Sequence, residues 1–242
     1  MFLDTFSAAM EQVELAESTE ELQRAVVGLL EPYGLKHAVY HAIRLPGAAE
    51  ENPVVIFTYP EDWISYYRLQ RYYRIDPVVL RAVNGVLPVD WGTIEITTPL
   101  VRKLFAEAND AGVGTRGLTF PIRGAHGDVA IFTVTTTLPD ADWSHLKSVY
   151  MRDMQLLGNF IHNRIATLRG WSNAPSSPLS HRERECLQWA AAGETIAGTA
   201  DKLRLSERVV RGYLDSARHK LACLTKTQAV AKGLTAGIIA PP

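Results

Sequence analysis

The stretch from residue 179 to residue 221 reads LSHRERECLQWAAAGETIAGTADKLRLSERVVRGYLDSARHKL, and it decides the fold of the C-terminal part of the chain. Ser180, followed three residues later by Glu183, forms a capping box that predicts the start of a helix. This helix should run to Ala192, because Gly193 can then take the left-handed conformation that ends a helix.

Two further helices are predicted downstream, with a tight turn between them. Thr195 can cap a second helix that ends near Leu203, and Ser206 can cap a third that ends near Leu221. Only a short connection at Arg204-Leu205 separates them. Two helices joined across such a turn form a helix-turn-helix.

The third helix has one apolar face and one charged face. Its apolar positions, at helical spacing, are Val210, Leu214, Ala217 and Leu221, and the opposite positions are Arg208, Arg211, Asp215 and Arg218. In helix-turn-helix proteins the start of the second helix lies in the major groove, where Arg can bond to guanine. We therefore expect DNA contacts from Ser206, Arg208, Val209, Arg211 and Arg218. The alternative is a solvated charged face on a small helical domain.

The charge of the chain is unevenly divided. Residues 176–242 carry a formal net charge of +4, whereas residues 1–175 carry −5. Such an asymmetry suits a small nucleic-acid-binding domain attached to a body that does not bind nucleic acid. No run of 18 apolar residues is present, and the N-terminus has acidic residues where a signal peptide needs basic ones. We expect a cytoplasmic protein without a membrane segment.

Cysteine and histidine usage gives no sign of a metal site. Cys186 and Cys223 are predicted as buried thiols rather than as a disulfide or metal ligands. His37 and His41 lie in a strand-like run without a nearby third ligand, which disfavours zinc. A Ser-His-Asp order and a glycine-rich phosphate loop are also missing. We therefore expect no enzyme, no catalytic residue, no metal and no cofactor.

The first 168 residues predict the order helix, hairpin, helices, hairpin, helix. The expected helical elements cover 3–15, 18–29, 64–72, 78–84, 98–108 and a long helix from 142 or 144 to 168, and the strands cover 37–43, 53–58, 118–123 and 129–137. Turns are expected at 46–47 and 124–127, and Gly112, Gly114 and Gly117 should form another. This order predicts an α/β/α sandwich with an antiparallel sheet.

Two domains are expected, joined by a linker. The linker RGWSNAPSSP, residues 169–178, is rich in Gly, Pro and Ser. It separates residues 1–168 from the helical residues 179–242, so the fold class is α+β with a C-terminal all-α domain. An apolar stripe along the long helix before the linker should cover the sheet, and any remainder could pair two chains.

Five large aromatic residues lie within eleven positions, namely Trp63, Tyr66, Tyr67, Tyr72 and Tyr73. A core that needed only volume could use Leu or Ile, which carry no polar atoms. Rings with polar tips therefore indicate a small-molecule pocket. The alternative is a helix that packs its aromatic residues on the sheet.

The C-terminal stretch resembles the DNA-binding domain of LuxR-type transcription regulators. The matching residues are Leu179, Ser180, Arg182, Glu183, Leu187, Gly193 and the pair Ala229-Val230. Two places depart from the family pattern: Gly198-Thr199-Ala200 stands where Glu-Ile-Ala is usual, and Val209-Val210 stands where Thr-Val is usual. A glycine in the interior of the second helix costs about 1 kcal/mol relative to Ala.

The N-terminal half resembles the autoinducer-binding domain of the same regulators. The matching residues are Tyr59, Trp63, Tyr67, Asp76, Pro77 and Trp91. The resemblance implies that Asp76 accepts a hydrogen bond from the amide of an acyl-homoserine lactone and that Trp63 donates to the lactone carbonyl. It also implies that Tyr59 bonds the acyl carbonyl and that Tyr67 packs on the acyl chain.

Two threonines extend this implied site. Thr133 matches a position where a hydroxyl contacts the acyl carbonyl, and Thr119 is a weaker candidate. The spacing from Gly112 to Gly117 is one residue longer than the usual Gly-x3-Gly, which leaves the choice of acyl group open.

The chemistry of the residues agrees with such a ligand. A molecule with an amide and a lactone has one donor and several acceptors; a carboxylate can only accept, whereas indole N–H and phenol O–H groups can donate. An unpartnered buried Asp76 would be costly, so we expect a pocket that binds this ligand tightly to be partly unsatisfied when no ligand is bound.

These observations predict a transcription regulator that binds an acyl-homoserine lactone and operator DNA. Its expected partners are a second copy of the chain, a near-palindromic operator and, as a further candidate, RNA polymerase. The alternative is a regulator of the same type whose sensor binds a different small molecule. A response regulator would need an N-terminal acidic cluster and a phosphoacceptor Asp at the end of a strand, and the sequence offers neither.

Overall fold

The computed structural model describes residues 2–44, 55–124, 128–169 and 179–242. These residues form two compact units, one from the sequence up to residue 169 and one from residue 179 onward. The predicted turn at 46–47, the start of the predicted strand 53–58, most of the turn at 124–127 and all but the first residue of the linker lie outside the described residues.

The first unit combines six α-helices with five strands. The helices are α1 (Phe2–Leu15), α2 (Thr19–Gly28), α3 (Glu61–Leu69), α4 (Pro77–Asn84), α5 (Pro99–Asp110) and α6 (Asp140–Leu168). The strands are β1 (His37–Arg44), β2 (Val55–Phe57), β3 (Val89–Asp90), β4 (Arg116–Arg123) and β5 (Val129–Thr136). Two short 3-10 helices cover Tyr72–Arg74 and Trp91–Thr93.

The sheet is antiparallel, with the strand order β2-β1-β5-β4-β3. Helices α1, α2 and α6 pack on one face and share a continuous apolar core with alternate strand residues such as Tyr40, Phe120 and Phe132. Helices α3, α4 and α5 cover the other face. The predicted α/β/α sandwich is therefore confirmed. The short edge strand β3 was not predicted, because two residues are too few to show alternation.

The second face of the sheet is packed by two smaller clusters rather than by one continuous core. One cluster is built around Trp63, Tyr72 and Leu104. The other is built around Val78 and neighbouring residues of α4, β3 and β5. Trp91 packs against both clusters. This divided packing contrasts with the single core on the opposite face.

Helix α3, which carries Trp63, Tyr66 and Tyr67, is as long as predicted but lies three residues closer to the N-terminus. It begins at Glu61 and ends at Leu69, whereas the sequence pattern predicted 64–72. Arg71 takes the left-handed conformation with φ 54°, which stops the helix and turns Tyr72 back onto Trp63. Nothing in the apolar spacing marks Arg71 as left-handed, since that conformation is unusual for a residue other than Gly.

Two other predictions about element bounds are wrong. Gly117 lies within β4 rather than in a turn, and only Gly112 and Gly114 take positive φ values of 82° and 105°. Helix α6 begins at Asp140 rather than at residue 142 or 144, because Asp140 and Asp142 can both occupy the first turn, where acidic side chains favour the helix dipole.

The second unit consists of α7 (His181–Ala191), α8 (Ile196–Leu203), α9 (Glu207–Lys220) and α10 (Lys226–Thr235). Ser180, Thr195 and Ser206 cap the first three helices as predicted, and the capping box of Ser180 and Glu183 is present. Helix α10 was not predicted from the sequence. Its signal is Thr225, whose hydroxyl accepts a hydrogen bond from the Gln228 amide.

Glycine at position 158 sets how closely α6 approaches the sheet. A Cβ atom there would lie 2.9 Å from Ile122 Cδ1 and 3.0 Å from Phe132 Cβ. We expect Gly158→Ala to lower the free energy of unfolding by about 1–2 kcal/mol, because overpacking outweighs the gain in helix propensity. Gly28→Ala is the control, since its Cβ would meet only Gln12 Oε1, at 3.9 Å. Chemical denaturation of both variants gives the comparison, and equal stabilities would contradict this account of the packing.

Candidate ligand-binding and DNA-binding sites

Asp76 lies at the centre of the predicted ligand site and caps α4. Its Oδ1 accepts from the amides of Val78 at 2.9 Å and Val79 at 3.4 Å. Its Oδ2 accepts from the Tyr67 hydroxyl at 2.9 Å. The sequence could not show that Tyr67 reaches Asp76, because this bond joins two different elements. A carboxylate has about four acceptor positions, so Asp76 can still take a further donor.

Three of the predicted ligand residues are enclosed by protein although each keeps some accessible surface. Burial raises the pKa of Asp76 above its usual value, against the lowering effect of the hydrogen bonds from Tyr67, Val78 and Val79. Burial, together with the charge of Asp76, also raises the pKa of Tyr59 and of Tyr67. Both phenols therefore stay protonated at neutral pH and can donate hydrogen bonds.

Trp91, Thr119 and Thr133 form one hydrogen-bonded chain across the sheet. The Trp91 indole N–H donates to Thr119 Oγ1 at 3.0 Å, and the two threonine hydroxyls lie 3.0 Å apart. Because Thr119 already accepts from Trp91, it can donate its own proton to Thr133. The Thr133 hydroxyl then keeps its proton for another acceptor, such as a ligand carbonyl.

The aromatic rings of Trp63 and Tyr59 pack in the same cluster as Trp91. Trp63 is buried and packs against Tyr67 and Tyr72 with ring centroids 5.9 and 6.4 Å apart. Tyr59 packs edge-on against His37 at 5.2 Å. The seven predicted ligand residues thus lie either on the second face of the sheet, as Thr119 and Thr133 do, or on the segments that pack over it.

A surface groove of about 400 Å³ lies beside α3. It is lined by Asp62, Trp63, Tyr66, Glu107, Asp110 and Ala111. It shares only Trp63 with the predicted ligand residues. Glu107 accepts hydrogen bonds from the hydroxyls of Tyr66 and Tyr72 and so fixes the outer side of the aromatic cluster.

On α9 the predicted DNA-contacting residues divide into two groups. Ser206, Arg208, Val209 and Arg211 are exposed at the start of the helix. Arg211 is paired with Glu207 at 3.0 Å, an exposed ion pair that contributes little to stability. Arg218 is two turns further on and is engaged within the protein, where it donates to the Cys223 carbonyl at 3.2 Å. The structure therefore separates Arg218 from the other four.

Glu183 connects α7 to α9 from a buried position. Its carboxylate accepts from Ser216 Oγ at 2.6 Å, from Lys220 Nζ at 2.8 Å and from the Ser180 amide at 2.6 Å. Burial alone would raise the pKa of Glu183, but the hydrogen bonds from Lys220, Ser216 and Ser180 lower it to about 2. The capping box identified Glu183 in the sequence; its bonds to α9 became visible only in the structure.

The two units match two known families. Residues 18–165 match the family described as "Autoinducer binding domain", and residues 177–232 match "Bacterial regulatory proteins, luxR family". The chain belongs to the LuxR family of transcription regulators. This LuxR-family regulator therefore joins a small-molecule sensor domain to a helix-turn-helix DNA-binding domain, and it acts in quorum sensing.

Named relatives agree with this assignment. The regulator is 38% identical over 185 residues to the transcriptional activator protein RaiR of Rhizobium etli, which covers 76% of each chain. It shares its fold with Escherichia coli SdiA, with a TM-score of 0.68, 22% identity and 99% of each chain covered. The acylhomoserine lactone-dependent factor CepR2 of Burkholderia cenocepacia has a TM-score of 0.55 and 18% identity, over 68% of this chain and 97% of that one.

Several residues that shape the two sites were not found by sequence reasoning. Arg123 donates to the carbonyls of Val83 and Gly85 and so holds the C-terminal end of α4. Gly117 lets the Trp91 ring approach β4, since a Cβ there would come within 2.8 Å of the ring. Single residues of this kind have no periodic signal.

Among the described residues no helix is long and apolar enough to cross a membrane, and none of their His, Cys, Asp and Glu side chains form a group of three or more suited to a metal.

The low pKa of Glu183 predicts acid sensitivity of the DNA-binding domain. Because its folded pKa of about 2 lies below the ordinary value of 4.5, the stabilisation is complete above pH 4.5 and is lost as the pH falls toward 2. Glu183→Gln should lower the free energy of unfolding at pH 7 by about 1.5–3 kcal/mol and flatten this acid dependence.

Glu185→Gln is the matched control on the same helix, because Glu185 forms only surface pairs, with Arg182 at 2.9 Å and His181 at 3.4 Å. Thermal melts of the three proteins between pH 3 and pH 7 make the comparison. An unchanged acid dependence in Glu183→Gln would show that another group carries it.

Proposed function

We propose that the sensor domain binds an N-acyl-homoserine lactone. The observation that carries this proposal is the enclosed carboxylate acceptor of Asp76 beside the neutral phenols of Tyr59 and Tyr67, with the Thr133 hydroxyl on the same side of the sheet as a further polar group. Such a set suits a neutral ligand with one amide donor and several carbonyl acceptors. The name of CepR2 states the same dependence for that protein.

A different acylated ligand is the main alternative outcome. SdiA, which is 22% identical to this chain, has a structure in complex with octanoyl-rac-glycerol. A glycerol hydroxyl can also donate to Asp76, and an ester carbonyl can accept from Thr133. The two ligand classes therefore share the acyl chain and differ in the donor, which is an amide N–H in one and a hydroxyl in the other.

We further propose that the regulator acts in the cytoplasm as a homodimer on a near-palindromic operator, with RNA polymerase as a further partner. Ser206, Arg208, Val209 and Arg211 would enter the major groove, and Arg218 would support the end of α9. Support for the groove placement comes from the exposure of these four residues at the start of the second helix of a helix-turn-helix. Two copies with twofold symmetry would read two half-sites.

Asp76→Asn tests the ligand assignment. Asn can still cap α4, but it loses the charge that strengthens the bond to the ligand amide. Affinity should fall by roughly ten- to a hundredfold, since hydrogen bonds to charged groups contribute about 1.5–3 kcal/mol. In the native protein a lactone at a hundred times its dissociation constant should add about 2.7 kcal/mol of stability, most of which the variant should lose.

The measurement is a thermal melt with and without ligand, with octanoyl-homoserine lactone and octanoyl-glycerol as separate arms. Asp142→Asn is the control, because Asp142 is exposed in the first turn of α6. Equal increments for native protein and Asp76→Asn would remove Asp76 from the site. An increment with the glycerol ester alone would replace the lactone as the ligand class.

Arg208→Ala tests the groove placement and the dimer together. Arg208 is exposed and has no ion pair among the described residues, so its loss should leave the fold unchanged. On a full palindromic operator we expect a loss of about 1–3 kcal/mol and weaker discrimination at one base pair of each half-site. Arg24→Ala, an exposed arginine of the sensor domain, controls for net charge.

Gel-shift titrations at fixed salt, on full and half operators, provide the readout. An equal loss on every DNA sequence would assign Arg208 to a phosphate instead. Equal native affinity for the half operator and the full operator would contradict the dimer.

A further inference from the structure

We propose that His41 is a further ligand-contacting residue of the sensor domain, and that it selects lactones whose acyl chain carries a hydroxyl or oxo group close to the acyl carbonyl. This inference rests on the proposed lactone-binding function and deepens it. Three observations carry it: the position of His41 in the sheet, the burial of its ring, and the lack of a hydrogen bond to that ring from the described residues.

The alternation of β1 directs His41 to the ligand side of the sheet. Ala38, Tyr40 and Ala42 are buried in the core formed with α1, α2 and α6. The residues between them face the other way, toward the helices that carry the predicted ligand residues. His41 pairs with Ile131 on β5, so it is the diagonal neighbour of Thr133, which pairs with Val39. Diagonal neighbours in a sheet have Cα atoms about 7–8 Å apart, within reach of one bound molecule.

The surroundings of His41 resemble those of three predicted ligand residues, Asp76, Tyr59 and Tyr67. It keeps accessible surface, yet burial lowers its pKa to about 4, with a smaller effect from the charge of Arg68. Asp76, Tyr59 and Tyr67 show the same combination of partial exposure and strong desolvation. Partial enclosure is thus common to these four side chains, and the His41 imidazole is neutral at pH 7.

Unlike the rings of two other enclosed histidines of this unit, the His41 ring has no hydrogen-bond partner among the described residues, although its backbone is paired in the sheet. The ring nitrogens of His37 lie 2.8 Å from the Thr58 carbonyl oxygen and 3.0 Å from that of Gly112. Those of His162 lie 2.7 Å from the Tyr40 hydroxyl and 2.5 Å from Asp128. A ring nitrogen that has no partner in the protein can bond to a ligand, so a ligand that supplies a matching group gains affinity.

The chemistry of a neutral imidazole defines the group that it would bind. One ring nitrogen donates and the other accepts. A hydroxyl can use either nitrogen and an oxo group can accept from the N–H, whereas a methylene satisfies neither. With the acyl carbonyl at Thr133, a substituent two or three bonds further along the chain comes within range of the diagonal position.

The test uses the full-length protein and three lactones of one chain length: octanoyl-, 3-hydroxyoctanoyl- and 3-oxooctanoyl-homoserine lactone. Native protein should bind a substituted lactone about three- to tenfold more tightly than octanoyl-homoserine lactone, as expected for one additional hydrogen bond. His41→Phe keeps an aromatic ring without polar atoms and should bring that ratio close to one. His41→Gln keeps a donor and an acceptor and should retain part of the preference.

His145→Phe is the matched control, because His145 is exposed on α6 and the same substitution there should leave the ratio unchanged. A native ratio of one, or a preference that persists in His41→Phe, overturns the inference and leaves lactone binding intact. Failure of all three lactones to bind native protein overturns both proposals. If His41→Phe does not fold, the native ratio and His41→Gln still decide.

Discussion

The carboxylate of Asp76 fixes the helical layer over the second face of the sheet. It caps α4 with one oxygen and receives the Tyr67 hydroxyl of α3 with the other. At its far end, α4 is held by the Arg123 guanidinium, which projects from the end of β4. Because this face has two separate apolar clusters, these charge-assisted bonds contribute more to its geometry than they would over a continuous core.

The two faces of the sheet therefore serve different purposes. The face under α1, α2 and α6 is tightly packed, with a glycine at the closest approach of α6. The face under α3, α4 and α5 places carboxylate, phenol, indole, hydroxyl and imidazole groups in a desolvated region. Most of these groups bond to one another. A ligand must therefore offer hydrogen bonds at least as good as those it displaces, or it must bond to donors and acceptors that the protein itself does not use. Among the described residues, Asp76, Thr133 and His41 are groups with such capacity left over.

The DNA-binding domain depends on a similar buried carboxylate. Glu183 completes the cap of α7 and also holds Ser216 and Lys220 on α9. Its bonds to α9 lie in the third and fourth turns, away from the exposed arginines at the start of that helix. Buried charge thus fixes the orientation of α9, while the four exposed residues proposed to contact DNA lie at its other end.

The sequence by itself determined the elements whose signals are local. Caps at Ser18, Ser180, Thr195 and Ser206, alternation in the strands and the spacing from Trp63 to Asp76 were sufficient for the sandwich, the helix-turn-helix and the family. Only the tertiary structure decided which polar groups meet. The Tyr67 bond to Asp76, the left-handed Arg71 and the free imidazole of His41 depend on neighbours from other elements. Hydrogen bonding and desolvation act between groups brought together by folding, and a one-dimensional pattern of residues contains no record of those distances.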